Sequence, residues 1–221
     1  MNFPMVTKKK QHKIRDPDEM KRRLISAIGE ILEQTGHTGL RVNAIARHLG
    51  RDKNLVRYYF DSLANLKKAY IMEKDYWPPF FERFQLDKPP ERENVKQLFI
   101  DLMRENYVFF KGNGEMQKII LWQISEDNPL LRSISDAREM EGDKLLRLTD
   151  PYLKDTVINF RAVIALMLGG IYYIVLHAGT NGSKVCGLDI KNEHESDSLW
   201  KTIGQVIEWA FEAAEKAGGL L

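Results

Sequence analysis

One cysteine, Cys186, stands in 221 residues. No intrachain disulfide can form, so the chain is read as suited to a reducing compartment, with Cys186 a buried or inert thiol. Signatures of catalysis are missing as well: there is no P-loop, no GxGxxG after a strand, no HExxH and no nucleophile elbow. Asp189, Glu193, His194, Glu195 and Asp197 are of metal-ligating type, but they have no partner cluster. They read instead as a loop and helix start, where acids complement the helix dipole. These gaps argue against an enzyme and imply no metal and no cofactor. Strand-like alternation is absent too, and the chain from Glu91 onward reads as helix after helix. The longest uninterrupted apolar run, Ala162 to Leu176, holds 15 residues, short of the roughly 20 that cross a bilayer. A helix buried on most sides is expected there, with Asn159, Arg161 and His177 at its edges. Lys8, Lys9, Lys10 and Lys13 precede no apolar segment, so no secretory signal is read. A cytoplasmic protein without a membrane partner is the expectation.

What the chain has is a charge asymmetry. The net charge is only +2, yet residues 1–70 carry 15 Lys and Arg against 7 Asp and Glu, while the remainder carries 18 against 24. A basic head on an acidic body suits a polyanion-binding domain joined to one that does not touch nucleic acid. Chance clustering plus a solvated basic tail is the plainer alternative.

The head contains a stretch around which the rest is arranged, Arg41 to Leu66. Val42, Ile45, Ala46 and Leu49 share one helical face. Gly50 follows, where a helix can end in a left-handed residue. Asp52 has the acceptor side chain of an N-cap for a second helix over about Lys53 to Tyr59. Val56 and Phe60 face the same core, leaving Lys53, Asn54, Leu55, Arg57 and Tyr58 pointing away. Donors, a planar cation and an aromatic on the free face of a short second helix suit a DNA major groove. The pattern is a helix-turn-helix.

These residues resemble the DNA-binding domain of TetR-type (tetracycline-repressor-like) transcriptional regulators, through Ile45-Ala46, Gly50, Asp52-Lys53-Asn54, Tyr59-Phe60 and Leu66. The likeness covers roughly residues 18 to 75 and fades beyond. Arg57 stands where that family usually has Tyr, Leu55 where it has Thr, and Tyr59 where it often has His. Leu63 replaces a common phosphate-meeting Lys, a role Lys67 could assume one turn later. The base-edge candidates are Lys53, Asn54, Leu55 and Arg57, the last able to pair bidentately with guanine. Arg41, Tyr58, Tyr59 and Lys67 are placed for phosphates, and Asn43 for either. A surface hairpin with incidental cations is the alternative.

Around that stretch, Asp16 and Pro17 open a first helix whose apolar face is Met20, Leu24, Ala27, Ile28 and Ile31. Asp61-Ser62 opens a fourth helix running towards Trp77, before a break at Pro78-Pro79. The body follows in helices over about Asn94–Phe110, Met116–Ile124, Asn128–Leu148, Thr156–Ala178 and Ser196–Lys216. The expected division is a flexible basic arm (1–15), a helix-turn-helix domain (16–75) and a helical effector-binding and dimerisation domain (76–221). The resemblance implies that the last two long helices pair across a twofold axis in a homodimer. It also implies a pocket in the body for a mostly apolar small-molecule effector, with Phe99, Met103, Tyr107, Trp122, Met140, Tyr172 and His177 as candidate lining; plain core packing is the alternative for each.

The expected protein is therefore all-α, with a three-helix head and a helical body. Its function would be a sequence-specific transcriptional regulator, a repressor released from a near-palindromic operator by a small molecule. The alternatives are a ligand-independent DNA-associated architectural or partner-recruiting protein, and a helical enzyme or carrier with a vestigial head.

Overall fold

The computed structural model describes residues 16–75, 77, 90–154 and 156–218; the basic arm and the Pro78-Pro79 break lie outside them. Among the described residues there are helices and no strand, and an isolated bridge joins Val185 to Leu188. The chain divides into two compact units between Glu73 and Lys74.

In the first unit, helix α1 (Pro17–Thr35) starts where the Asp16 side chain accepts from the Asp18 N–H at 2.9 Å. It buries Met20, Leu24, Ala27, Ile28 and Ile31, the stripe expected from their spacing. Helix α2 (Val42–Leu49) packs on α1 and buries Ile45 completely. The His48 ring meets the Glu30 carboxylate across the two helices at 2.7 Å. That bond, and a second from Ser26, hold the Glu30 carboxyl below the usual range. Gly50 closes α2 at φ 61, ψ 37, with its N–H and that of Arg51 turned back on the Arg47 and Ala46 carbonyls. Helix α3 (Asn54–Phe60) begins one residue later than the sequence pattern indicates, because the Asp52 carboxylate takes the Asn54 N–H at 2.7 Å. Helix α4 (Leu63–Lys74) follows, opened by Ser62 Oγ on the Asn65 N–H.

In the second unit, asparagines open three helices: Asn113 caps the one starting at Gly114, Asn128 the one starting at Pro129 and Asn159 the one starting at Phe160. The elements are α5 (Arg92–Gly112), α6 (Gly114–Ser125), α7 (Pro129–Leu146), the short α8 (Asp150–Leu153), α9 (Phe160–Thr180) and α10 (Glu193–Gly218). Helix α5 lies along α10 and α9. At their junction the Phe160 ring sits edge-on to Phe99 and Phe211, with centroids 5.2 and 5.4 Å away. A buried polar link joins α5 to α10, where Ser196 Oγ lies 2.7 Å from both the Tyr107 hydroxyl and Lys111 Nζ. Burial raises the Tyr107 hydroxyl pKa.

Two expectations change. The apolar run belongs to a 21-residue helix, α9, long and apolar enough by length and composition to cross a membrane. Within one chain it is not buried on most sides. Phe160, Ile164, Ile171 and Val175 turn inward, while Leu166 and Tyr173 remain 78% and 59% exposed. One chain supplies neighbours for only part of a helix that is apolar all round. Cys186, in turn, is exposed, because it sits at φ 51 in the turn closed by mutual Val185–Leu188 hydrogen bonds.

A Cβ built on Gly50 would meet nothing within 4 Å, so only the left-handed backbone resists a side chain. Gly50→Ala should cost about 1–2 kcal/mol, whereas Ile45→Ala, which empties a packed site, should cost about 2–5 kcal/mol; urea unfolding would rank them. Because folding lowers the Glu30 pKa, its contribution is present above the usual carboxylate range and fades as pH falls through the lowered value. Glu30→Gln should remove that acid-limb dependence, with a loss below about 1 kcal/mol at neutral pH since the pair is solvent-exposed; pH-dependent unfolding checks it.

Candidate functional site

The turn at Gly50 decides which side of α3 is free. Val56 is buried, at 3% exposure, and the half-buried Leu55, Tyr59 and Phe60 flank it. Lys53, Asn54, Arg57 and Tyr58 are exposed, Tyr58 by 78% and edge-on to Tyr59 with centroids 4.8 Å apart. Arg41, at the N-cap of α2, and Asn43 in its first turn are exposed as well. Lys67, on the second turn of α4, is half-buried. The free face of α3 thus offers a guanidinium, an ammonium, an amide and a phenol. Asp52, the acid next to it, is occupied at the cap.

The second unit carries a half-open cavity of about 620 Å³, within the range of small-molecule sites. Most of its wall is apolar, from Phe99, Leu102 and Met103 of α5, Ile120 of α6, Leu145 and Leu146 of α7, and Ile164 and Leu168 of α9. One part is polar. Arg138 Nε meets Asp75 Oδ2 at 2.9 Å, with the two side chains 10% and 6% exposed, and Arg138 Nη1 donates to Gln123 Oε1 at 3.1 Å. Gln123 in turn donates to Ser135 Oγ. Arg138 Nη2 is buried without a hydrogen-bond partner among the described residues. The Tyr172 hydroxyl is hydrogen-bonded by the side chains of Asn106 and Trp77, and burial raises its pKa. Arg161 lines the cavity too, its guanidinium 2.7 Å from Asp143 and 3.8 Å from Asp150.

No protein-family profile matches the chain, and no curated protein matches it. Solved structures do. HlyIIR, a hemolysin II transcriptional regulator, aligns with a TM-score of 0.55 at 14% identity, over 86% of this chain and 98% of its own. A HlyIIR variant with an internal segment replaced by a GSSGSSG linker aligns with a TM-score of 0.57 at 13% identity, over 86% and 96%. The fold is TetR-like. The all-α architecture and the three-helix head expected from the residues agree with it.

On this TetR-like fold the residues singled out from the sequence separate. Of the seven pocket candidates, Phe99, Met103 and Tyr172 line the cavity. Tyr107 is buried against Ser196, and Trp122 is buried with its indole N–H on Glu126 at 2.6 Å. Met140 points to solvent at 71% exposure, while His177 stacks on Tyr173 near the end of α9. The polar wall drew no notice in the sequence. Arg138 belongs to α7, and its partner Asp75 lies 63 positions earlier. Neither residue signals an inward-facing charge by spacing. Among the described residues no group of three metal-ligating side chains occurs.

Arg138→Met strands the Asp75 carboxylate in a buried site, and should cost about 3–5 kcal/mol. The double variant Asp75→Asn/Arg138→Met should recover much of that loss, as read by denaturant unfolding.

Proposed function

We propose that the chain is a sequence-specific DNA-binding transcriptional regulator that works as a homodimer. In this reading it is a cytoplasmic repressor, not an enzyme, released from a near-palindromic operator when a small molecule occupies the second unit. The observation that carries the reading is the free face of α3, where Lys53, Asn54, Arg57 and Tyr58 stand exposed behind a helix-turn-helix turn. The transcriptional regulator HlyIIR, which shares the fold, supports it.

Residues 16–75 would form the DNA-binding domain and 76–221 the dimerisation and effector domain. Arg57 and Asn54 would read base edges in the major groove. Lys53 and Leu55 would flank them. Arg41, Tyr58, Tyr59 and Lys67 would meet phosphates, with Asn43 reaching either. Homodimerisation gives the exposed apolar side chains Leu166 and Tyr173 of α9 and Trp209 of α10 a partner. It also accounts for the length and hydropathy of α9 without a membrane. Release requires the effector to bind the non-DNA conformation more tightly, by about 1–3 kcal/mol of coupling. A ligand-independent architectural protein would need no internal space, so the cavity of about 620 Å³ favours an effector.

Arg57→Ala should relax the preference for one base position by about 1–3 kcal/mol, whereas Arg41→Ala should weaken binding to all sequences and reduce the salt slope by about one. Fluorescence anisotropy with specific and random duplexes across a salt series separates the two; equal, sequence-independent losses would defeat the assignment. Leu166→Glu should convert the dimer to monomer in sedimentation equilibrium without unfolding it.

A further inference from the structure

The buried polar wall of the cavity leaves a guanidinium donor unpaired among the described residues. Asp75 Oδ2 is taken by Arg138 Nε, and Asp75 Oδ1 by the Trp77 N–H. Gln123 Oε1 is taken by Arg138 Nη1. Arg138 Nη2, on a side chain nine-tenths buried, has no partner among the described residues. The Asn106 carboxamide oxygen is also unpartnered among the described residues, so its link to Tyr172 runs from its NH₂ group. The Trp77 indole can only donate. Both links therefore run to the Tyr172 oxygen as acceptor.

Charge narrows what the unpaired donor takes. Inside, Arg138 is already balanced by Asp75, and a second anion would leave a buried cluster with excess negative charge. At the rim, Arg161 is committed to Asp143 and Asp150, and the exposed Glu139 adds a further carboxylate to the lining. An anion is disfavoured at both places. A neutral oxygen acceptor satisfies the donors and disturbs neither balance.

We propose that this cavity binds an uncharged, mostly apolar molecule bearing a carbonyl oxygen, held by Arg138 Nη2 and the Tyr172 hydroxyl. The inference rests on the effector reading of the cavity and names the chemistry that the site accepts. Apolar walls from α5, α6, α7 and α9 take the carbon skeleton, and the two donors fix the oxygen.

The test uses the full chain with two matched series, methyl ketones and carboxylates of eight to fourteen carbons, followed by thermal shift and titration calorimetry. Members of the ketone series should raise the melting temperature and bind about tenfold tighter than the carboxylates of equal length. Tyr172→Phe and Arg138→Lys, the latter keeping a cation beside Asp75 but losing the guanidinium fork, should each weaken ketone binding about tenfold while the protein stays folded by circular dichroism. Tighter carboxylate binding, unchanged ketone affinity in both variants, or no ketone bound at millimolar concentration would overturn the proposal. Low-salt DNA binding by the same preparations is read in parallel. DNA binding retained with no ketone response overturns the cavity chemistry alone; ketone binding with no DNA binding upholds that chemistry and removes the regulator reading.

Discussion

The proposed DNA-reading role depends on one backbone constraint, the left-handed residue at Gly50. With φ 61 and ψ 37 there, α2 stops after eight residues and the chain reverses quickly enough for α3 to start at Asn54. Had α2 continued, Lys53, Asn54 and Arg57 would lie on an extension of its own surface, with no second helix to project. The turn leaves Val56 buried, as Ile45 is, and the cationic and amide side chains outside. A side chain at position 50 would meet no neighbour, so the requirement for glycine is conformational rather than steric.

The second unit is organised by two incomplete satisfactions of a different kind. Helix α9 is apolar around most of its circumference, but within one chain the phenylalanine-rich junction and its flanks cover only one side. The Asp75–Arg138 pair is desolvated and well bonded at Nε and Nη1, yet one guanidinium nitrogen is left over. Buried charges are retained at a cost unless their hydrogen bonds are complete. Taken together, the open apolar face favours a second copy of the chain, and the leftover donor favours a ligand oxygen. Both deficits would be met by partners a regulator requires.

How much was legible follows from the range of the interactions involved. The stop signal at Gly50, the cap at Asp16 and the buried stripe of α1 are local, set by residues within one or two turns, and these the pattern conveys. Helix starts shifted by small amounts where a side chain chose a nearby N–H, as Asp52 did with Asn54. The cavity was not legible. Large apolar side chains at helical spacing look alike whether they line a void or fill a core, so Tyr107 and Trp122 looked the same as Phe99 and Met103. Arg138 and Asp75 come together only through tertiary packing, and Cys186 is exposed because of a turn that its flanking residues do not announce. Fold similarity to HlyIIR at 14% identity shows the same asymmetry: the helical architecture is shared although most side chains differ.

The most direct test of the central claim is selection of bound duplexes from a random DNA pool by the purified chain. The account predicts recovery of a two-half-site, near-palindromic consensus whose half-sites are spaced by about one helical turn of DNA or a multiple of it, with affinity that falls as salt rises. Binding without any consensus, or no binding at low salt, would contradict it.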